Sequence, residues 1–147
     1  MDYEPAPQSY ASPPPLSQSE ERQWAMFAHF GVLVNLVSGV LGPVVPLVIY
    51  MIYKDRSRYV AYQSLQALIF QLIWWVGGGI LAGVAWTITG VLSAFLVGLL
   101  CIPFACLFSA MPLIALGYGI YGGIEANQGK DFKYWLVGDW VRPTLTG

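Results

Sequence analysis

The sequence predicts an all-α, polytopic transmembrane helical protein: about four membrane helices, the second short, behind a disordered Pro-rich N-terminal tail. Three observations predict it. Hydrophobic residues make up 56% of the 147 and charged residues only 10%, whereas a soluble domain carries about 25% charge. No charged residue occurs between Tyr59 and Ile124, and a run of that length belongs in lipid, where an ionisable side chain is expensive. The basic residues fall into three clusters, at Arg22, at Lys54–Arg58 and from Lys130 onward.

Residues 1–19 are read as the tail. Pro13, Pro14 and Pro15 are consecutive, which disfavours helix and favours extended polyproline backbone. Two readings stand: a solvated tail, or a ligand for a Pro-binding module. The tail is acidic, without a basic n-region or an early apolar run, unlike a cleaved secretory signal.

Residues 20–130 are read as the membrane domain. Ser19 is the expected cap of the first helix, with Glu20 and Glu21 at the positive end of its dipole. The apolar run from Trp24 to Tyr53 is too long for one crossing, and Gly39, Gly42 and Pro43 divide it. This gives one helix at about 22–40 and a short one at about 43–53, a half-span or a tilted piece in a locally thin membrane. Lys54–Arg58 is a polar loop, flanked by tyrosines suited to the headgroup region. The next helix spans about 59–86. In it Gly79 and Gly83 form a GxxxG within a small-residue face, Gly77 to Gly83, suited to close helix packing. Trp86–Gly90 is the expected far turn. The last run, about 91–124, should be kinked or divided by Pro103 and Pro112, with Gly129 as its C-terminal cap. Residues 131–147 are read as an interfacial tail, because Phe132, Trp135 and Leu136 share one helical face. Placing every basic cluster in the cytoplasm requires an even number of crossings between them, hence four helices and two cytoplasmic termini.

The chemistry-bearing residues are few. His29 is the lone histidine, in the first helix. It is either a hydrogen-bonding group facing Asn35 or a glutamine, or a proton-transfer site. Gln63 and Gln66 lie one turn apart, with Gln71 deeper. Glu125 stands at the edge of the last span, with Asn127 after it and Tyr134 in the tail. Cys101 and Cys106 point apart on a helix and read as packing residues. No nucleophile-and-base spacing, phosphate loop or metal-ligand spacing occurs. The net charge of −1 offers no basic surface for nucleic acid. The expectation is therefore no enzyme, no cofactor and no metal.

The segment Tyr59-Val60-Ala61-Tyr62-Gln63-Ser64-Leu65-Gln66-Ala67-Leu68, after a short basic loop, resembles a signature of small bacterial and plastid membrane proteins. These are the relatives of the twenty-kilodalton component of the chloroplast inner-envelope translocon (Tic-twenty-like). Ala28-His29, Gly42-Pro43 leading into Tyr53-Lys54, and Glu125-Ala126-Asn127-Gln128-Gly129-Lys130 with Phe132 and Tyr134 follow in the same order, over about residues 21–142. Gln63 stands where relatives often have His or Asn, and Trp135 where Pro is common. The resemblance implies a four-helix membrane domain in a bacterial cell (plasma) membrane; for plastid members it implies a role in protein import, from which a link to protein translocation is drawn, and for bacterial members no agreed activity. Two functions are open: a non-enzymatic scaffold or accessory subunit that acts by helix–helix interaction, and a small oligomeric transporter or channel. The expected partners are the lipid bilayer and other membrane proteins or a second copy. The candidate interaction or polar membrane sites are His29, Gln63, Gln66, Gly79, Gly83, Glu125, Asn127 and Tyr134.

Overall fold

The computed structural model describes residues 13–146, and all its regular structure is helical. The first twelve residues of the expected tail lie outside the described residues. Helix α1, Gln18–Phe30, begins one residue after Ser17. Ser17, not Ser19, is the cap. Its Oγ accepts from the Glu20 amide, and the Glu20 carboxylate accepts from the Ser17 amide at 2.8 Å. Only Ser17 has an acid three residues ahead, the spacing that a reciprocal capping box needs.

Beyond Phe30 the chain keeps turning through a 3-10 segment, Gly31–Val34, and a short α2, Asn35–Ser38. Gly39 then takes φ +81°, a conformation that costs glycine little. The Gly42 amide donates to Asn35 Oδ1 at 2.7 Å, closing the turn. Helix α3, Val44–Tyr53, follows directly after Pro43. Its ten residues rise about 15 Å, half of the hydrocarbon core.

Helix α4, Arg58–Gln71, is capped by Ser57, whose own hydroxyl donates to Glu21 at 2.6 Å and ties this start to α1. A π-helical stretch, Leu72–Gly77, joins α4 to α5, Gly78–Ser93. The result is one rod of 36 residues, roughly 54 Å long. The expected turn at Trp86–Gly90 does not exist. Thr87 and Thr89 donate to the carbonyls of Gly83 and Ala85, so their hydroxyls are satisfied inside an apolar helix and need no loop. The chain reverses at Ala94–Leu96 instead. There Leu96 takes φ +59° and Gly98 lies against the Thr89 carbonyl and Ser93.

A 3-10 turn, Val97–Cys101, leads into α6, Ile102–Asn127. Pro103 does not divide this run. It falls in the first turn of α6, where its missing N–H would have had no partner. Pro112 lies inside the helix. Gly129, at φ +73°, ends α6 as expected. Two short helices finish the chain, α7, Val137–Val141, and α8, Pro143–Thr146.

Two helical runs, Arg58–Ser93 and Val97–Asn127, are long and apolar enough to cross a membrane. Near the charged end α1, α3, α4 and α6 pack together. Past the Gly39 turn α5 continues mainly against the first half of α6. The hairpin there keeps large apolar side chains exposed, among them Ile80, Val84, Leu100 and Phe104. Exposed apolar surface of this extent is uncommon on a monomer that faces water on all sides.

Glycine sets the closest approach, though not at the expected positions. Gly119 and Gly123 of α6 face Val32 and Phe30 across from α1, and Gly78 faces Met111. A Cβ at Gly79, Gly83 or Gly117 would meet nothing within 4 Å. Replacing Gly119 by Val should therefore destabilise the bundle by about 1–3 kcal/mol through overpacking. Gly117→Ala should be neutral or stabilise it by up to about 1 kcal/mol through helix propensity. Thermal unfolding of both variants in mild detergent checks the pair; equal midpoints would contradict the assigned α1–α6 contact.

Candidate functional site

After Gly129 the chain turns back under the bundle and packs against it. Phe132 and Tyr134 enter the core, with Tyr134 at 0% exposure, while Trp135 and Leu136 stay outside. The alternation of Asp131, Lys133 and Trp135 outward with Phe132 and Tyr134 inward is the period of an extended segment, so the helical face expected for Phe132, Trp135 and Leu136 is not formed. Leu136 takes φ +72°, at the junction between this extended segment and α7. Val137 and Val141 of α7 are again buried.

The inward side chains meet His29, Gln63 and Gln66, each fully buried. Every proton in the cluster follows from the backbone. The Tyr134 amide can only donate, and it meets Gln66 Oε1 at 3.2 Å. Gln66 Nε2 therefore donates, to the Phe132 carbonyl at 2.9 Å and to Gln63 Oε1 at 2.6 Å. Gln63 Nε2 then donates to the same carbonyl at 3.2 Å. Because Gln63 Oε1 is an acceptor, His29 Nε2 must donate to it, at 2.9 Å. A neutral imidazole, the form that full burial favours, then accepts at Nδ1 from the Tyr134 hydroxyl, also at 2.9 Å. The imidazole is neutral with its proton on Nε2. Burial pushes the Tyr134 phenol well above its ordinary range, so it stays a donor.

Aromatic packing encloses the cluster. The Tyr134 ring stacks on Phe70 at 3.9 Å, with Tyr118 edge-on at 5.2 Å and Phe132 at 4.8 Å. Outside, the segment is fastened by charge. Arg142 holds Asp131 through two bonds, at 2.9 and 2.6 Å, and Lys133 reaches Asp139 at 2.8 Å. These partners push Arg142 and Lys133 above their ordinary values. The Tyr59 hydroxyl meets the carbonyls of Ala126 and Lys130, closing the end of α6.

Four of the expected site residues thus form one site: His29, Gln63, Gln66 and Tyr134. The others do not join it. Asn35, expected as one possible partner of His29, holds the Gly42 turn instead. Gly79 and Gly83 are exposed on α5. Glu125 pairs with Lys130 at 2.8 Å, and Asn127 is exposed at the end of α6. Being buried, Gln66 and Tyr134 offer no open docking face. Sequence reasoning passed over Phe70, Tyr118 and the Phe132 carbonyl; the signal for the last was the two-residue alternation from Asp131 to Trp135. Among the described residues no three His, Cys, Asp or Glu side chains gather where they could hold a metal ion, and Cys101 and Cys106 are free.

Residues 20–141 match the family model described as the magnetosome magnetite crystal formation protein family. No curated protein and no solved structure matches the chain. The family match overturns the expected Tic-twenty-like kinship. The motifs that carried it, such as Tyr59 to Leu68, are short aromatic and amide patterns at the start of a helix after a basic loop, and the whole-length match outweighs them.

The buried cluster generates a graded expectation. Tyr134→Phe keeps the ring stack and orphans only His29 Nδ1, at a cost of about 1–2 kcal/mol. Gln66→Leu orphans the Tyr134 amide, weakens the hold on the Phe132 carbonyl and should cost about 3 kcal/mol or more. Limited trypsin digestion reads this out, since the side chains of Lys130 and Lys133 are already exposed and a loosened segment lets the protease reach their backbone. Equal cleavage rates in Gln66→Leu and wild type would refute the assigned bonding.

Proposed function

The chain belongs to the magnetosome magnetite crystal formation protein family, and from that premise we propose that it is a non-enzymatic membrane protein of the magnetosome that contributes to crystal formation by associating with other membrane proteins. The carrying observation is that the family match spans residues 20–141, the bundle and the inserted C-terminal segment together. In this reading α1, α3, the Arg58–Ser93 rod and the Val97–Asn127 run are the four membrane helices, with α3 as a half-span, and both termini are cytoplasmic.

The α5–α6 hairpin is the surface for association. Its apolar side chains are exposed, and Gly79 and Gly83 leave room beside α5 that nothing among the described residues fills. Such a stripe favours the approach of another helix. Three of the polar groups that a transport pathway would draw on, His29, Gln63 and Gln66, are occupied by Phe132 and Tyr134. The link to protein translocation falls with the resemblance that implied it.

The test is deletion of the gene in a magnetosome-forming host, followed by electron microscopy of the crystals. Crystals altered in size or shape, and restored by the wild-type chain, are expected. Gly79→Leu with Gly83→Leu should leave thermal stability unchanged or slightly raised, because no neighbour is displaced, yet fail to restore the crystals and lose the partner in co-purification. Normal crystals after deletion would end the crystal-formation reading. Full rescue by the double variant would end the hairpin's role.

A further inference from the structure

A groove of about 490 Å³ lies between α1 and α3, apart from the polar cluster. Trp24, Phe27, Phe30 and Val34 form one wall, and Val44, Val48 and Ile49 form the other. The lining is apolar throughout, and Phe27, Val44 and Val48 are close to half exposed at its rim. From Trp24 to Val34 the groove climbs ten residues, about 15 Å, the depth of one leaflet of hydrocarbon. It ends below at a polar foot. The Trp24 ring lies 4.7 Å from Tyr53, and the Arg56 guanidinium sits over that tyrosine at 5.6 Å. Lys54, next to Tyr53 in the chain, is exposed, as is the acid Asp55 that follows it. Arg56 Nε donates to the Pro14 carbonyl at 3.0 Å. Glu20 is an acid whose charge reaches Arg56, but its Oε2 is already held by the Ser17 amide and hydroxyl.

We propose that this groove holds one acyl chain of a bilayer phospholipid, with the lipid phosphate at Lys54 and Arg56. Two features select this occupant. An apolar slot as deep as one leaflet fits a hydrocarbon tail, and cations at its foot fit the phosphate at the end of that tail. The short α3 makes the slot, because its ten residues wall one leaflet only. The inference rests on the membrane placement proposed above.

Native mass spectrometry of the full chain, released from vesicles of mixed phosphatidylglycerol and phosphatidylethanolamine, tests it. The wild type should retain one phospholipid after delipidation. Val48→Trp, and separately Val34→Trp from the other wall, should lower retention about tenfold, and Lys54→Gln with Arg56→Gln should weaken it with the groove intact. Thermal melts confirm that the variants are folded. Equal retention in all variants would overturn the proposal. So would a wild-type dimer that Val48→Trp dissolves, since a second copy would then fill the groove. Flotation of the same vesicles separates the two readings. A wild type that floats but retains no lipid sinks the groove alone, and one that does not float sinks the membrane placement.

Discussion

Two backbone groups, the Phe132 carbonyl and the Tyr134 amide, govern the polar core. Both are held by Gln66, and neither can change its role as acceptor or donor. From them the orientation of two glutamine amides, one histidine tautomer and one phenol follows without choice. In a core otherwise built from Ala28, Val60, Ala67 and Phe70, any of these groups left single would carry its full desolvation cost. The C-terminal segment is therefore part of the fold: it supplies the partners that make His29, Gln63 and Gln66 tolerable inside the bundle.

That constraint explains how the two ends of the molecule differ. The polar end is thick because five elements converge there, α1, α3, α4, α6 and the returning chain. The far end has no buried polar group demanding a partner beyond Thr89, whose hydroxyl bonds back to Ala85. Two helices suffice, and their outward apolar side chains are left to the surroundings. The family assignment belongs to this whole arrangement, since the matched residues reach from the first turn of α1 to the end of α7.

The helices were legible because their cause is local. A charge-free run, a Gly-Pro break and a capping serine act within a few residues, so their approximate places follow from pattern alone. The Thr87–Gly90 misreading has the same origin. A Thr-Gly cluster resembles a turn until the hydroxyls are seen to bond one turn back. What stayed hidden depends on distant chain segments. The partner of His29 is Tyr134, 105 residues away, and no spacing rule reaches that far. The tail was misread because a helical period was applied where the side chains alternate in twos. The glycines were misassigned because small size shows that a close approach is permitted, and only the neighbour shows that it occurs.

The unequal lengths of α3 and the Arg58–Ser93 rod bear on the membrane itself. A molecule five elements wide at one end and two at the other has a tapered cross-section. Placed in a bilayer as proposed above, it would displace more area from the leaflet that holds the broad end. A flat membrane must stretch one monolayer to accommodate such a shape, whereas a small closed vesicle already has more area in its outer monolayer. With the broad end outward, many copies side by side would relieve bending stress in proportion to their density, so crowding and vesicle radius become mechanically coupled.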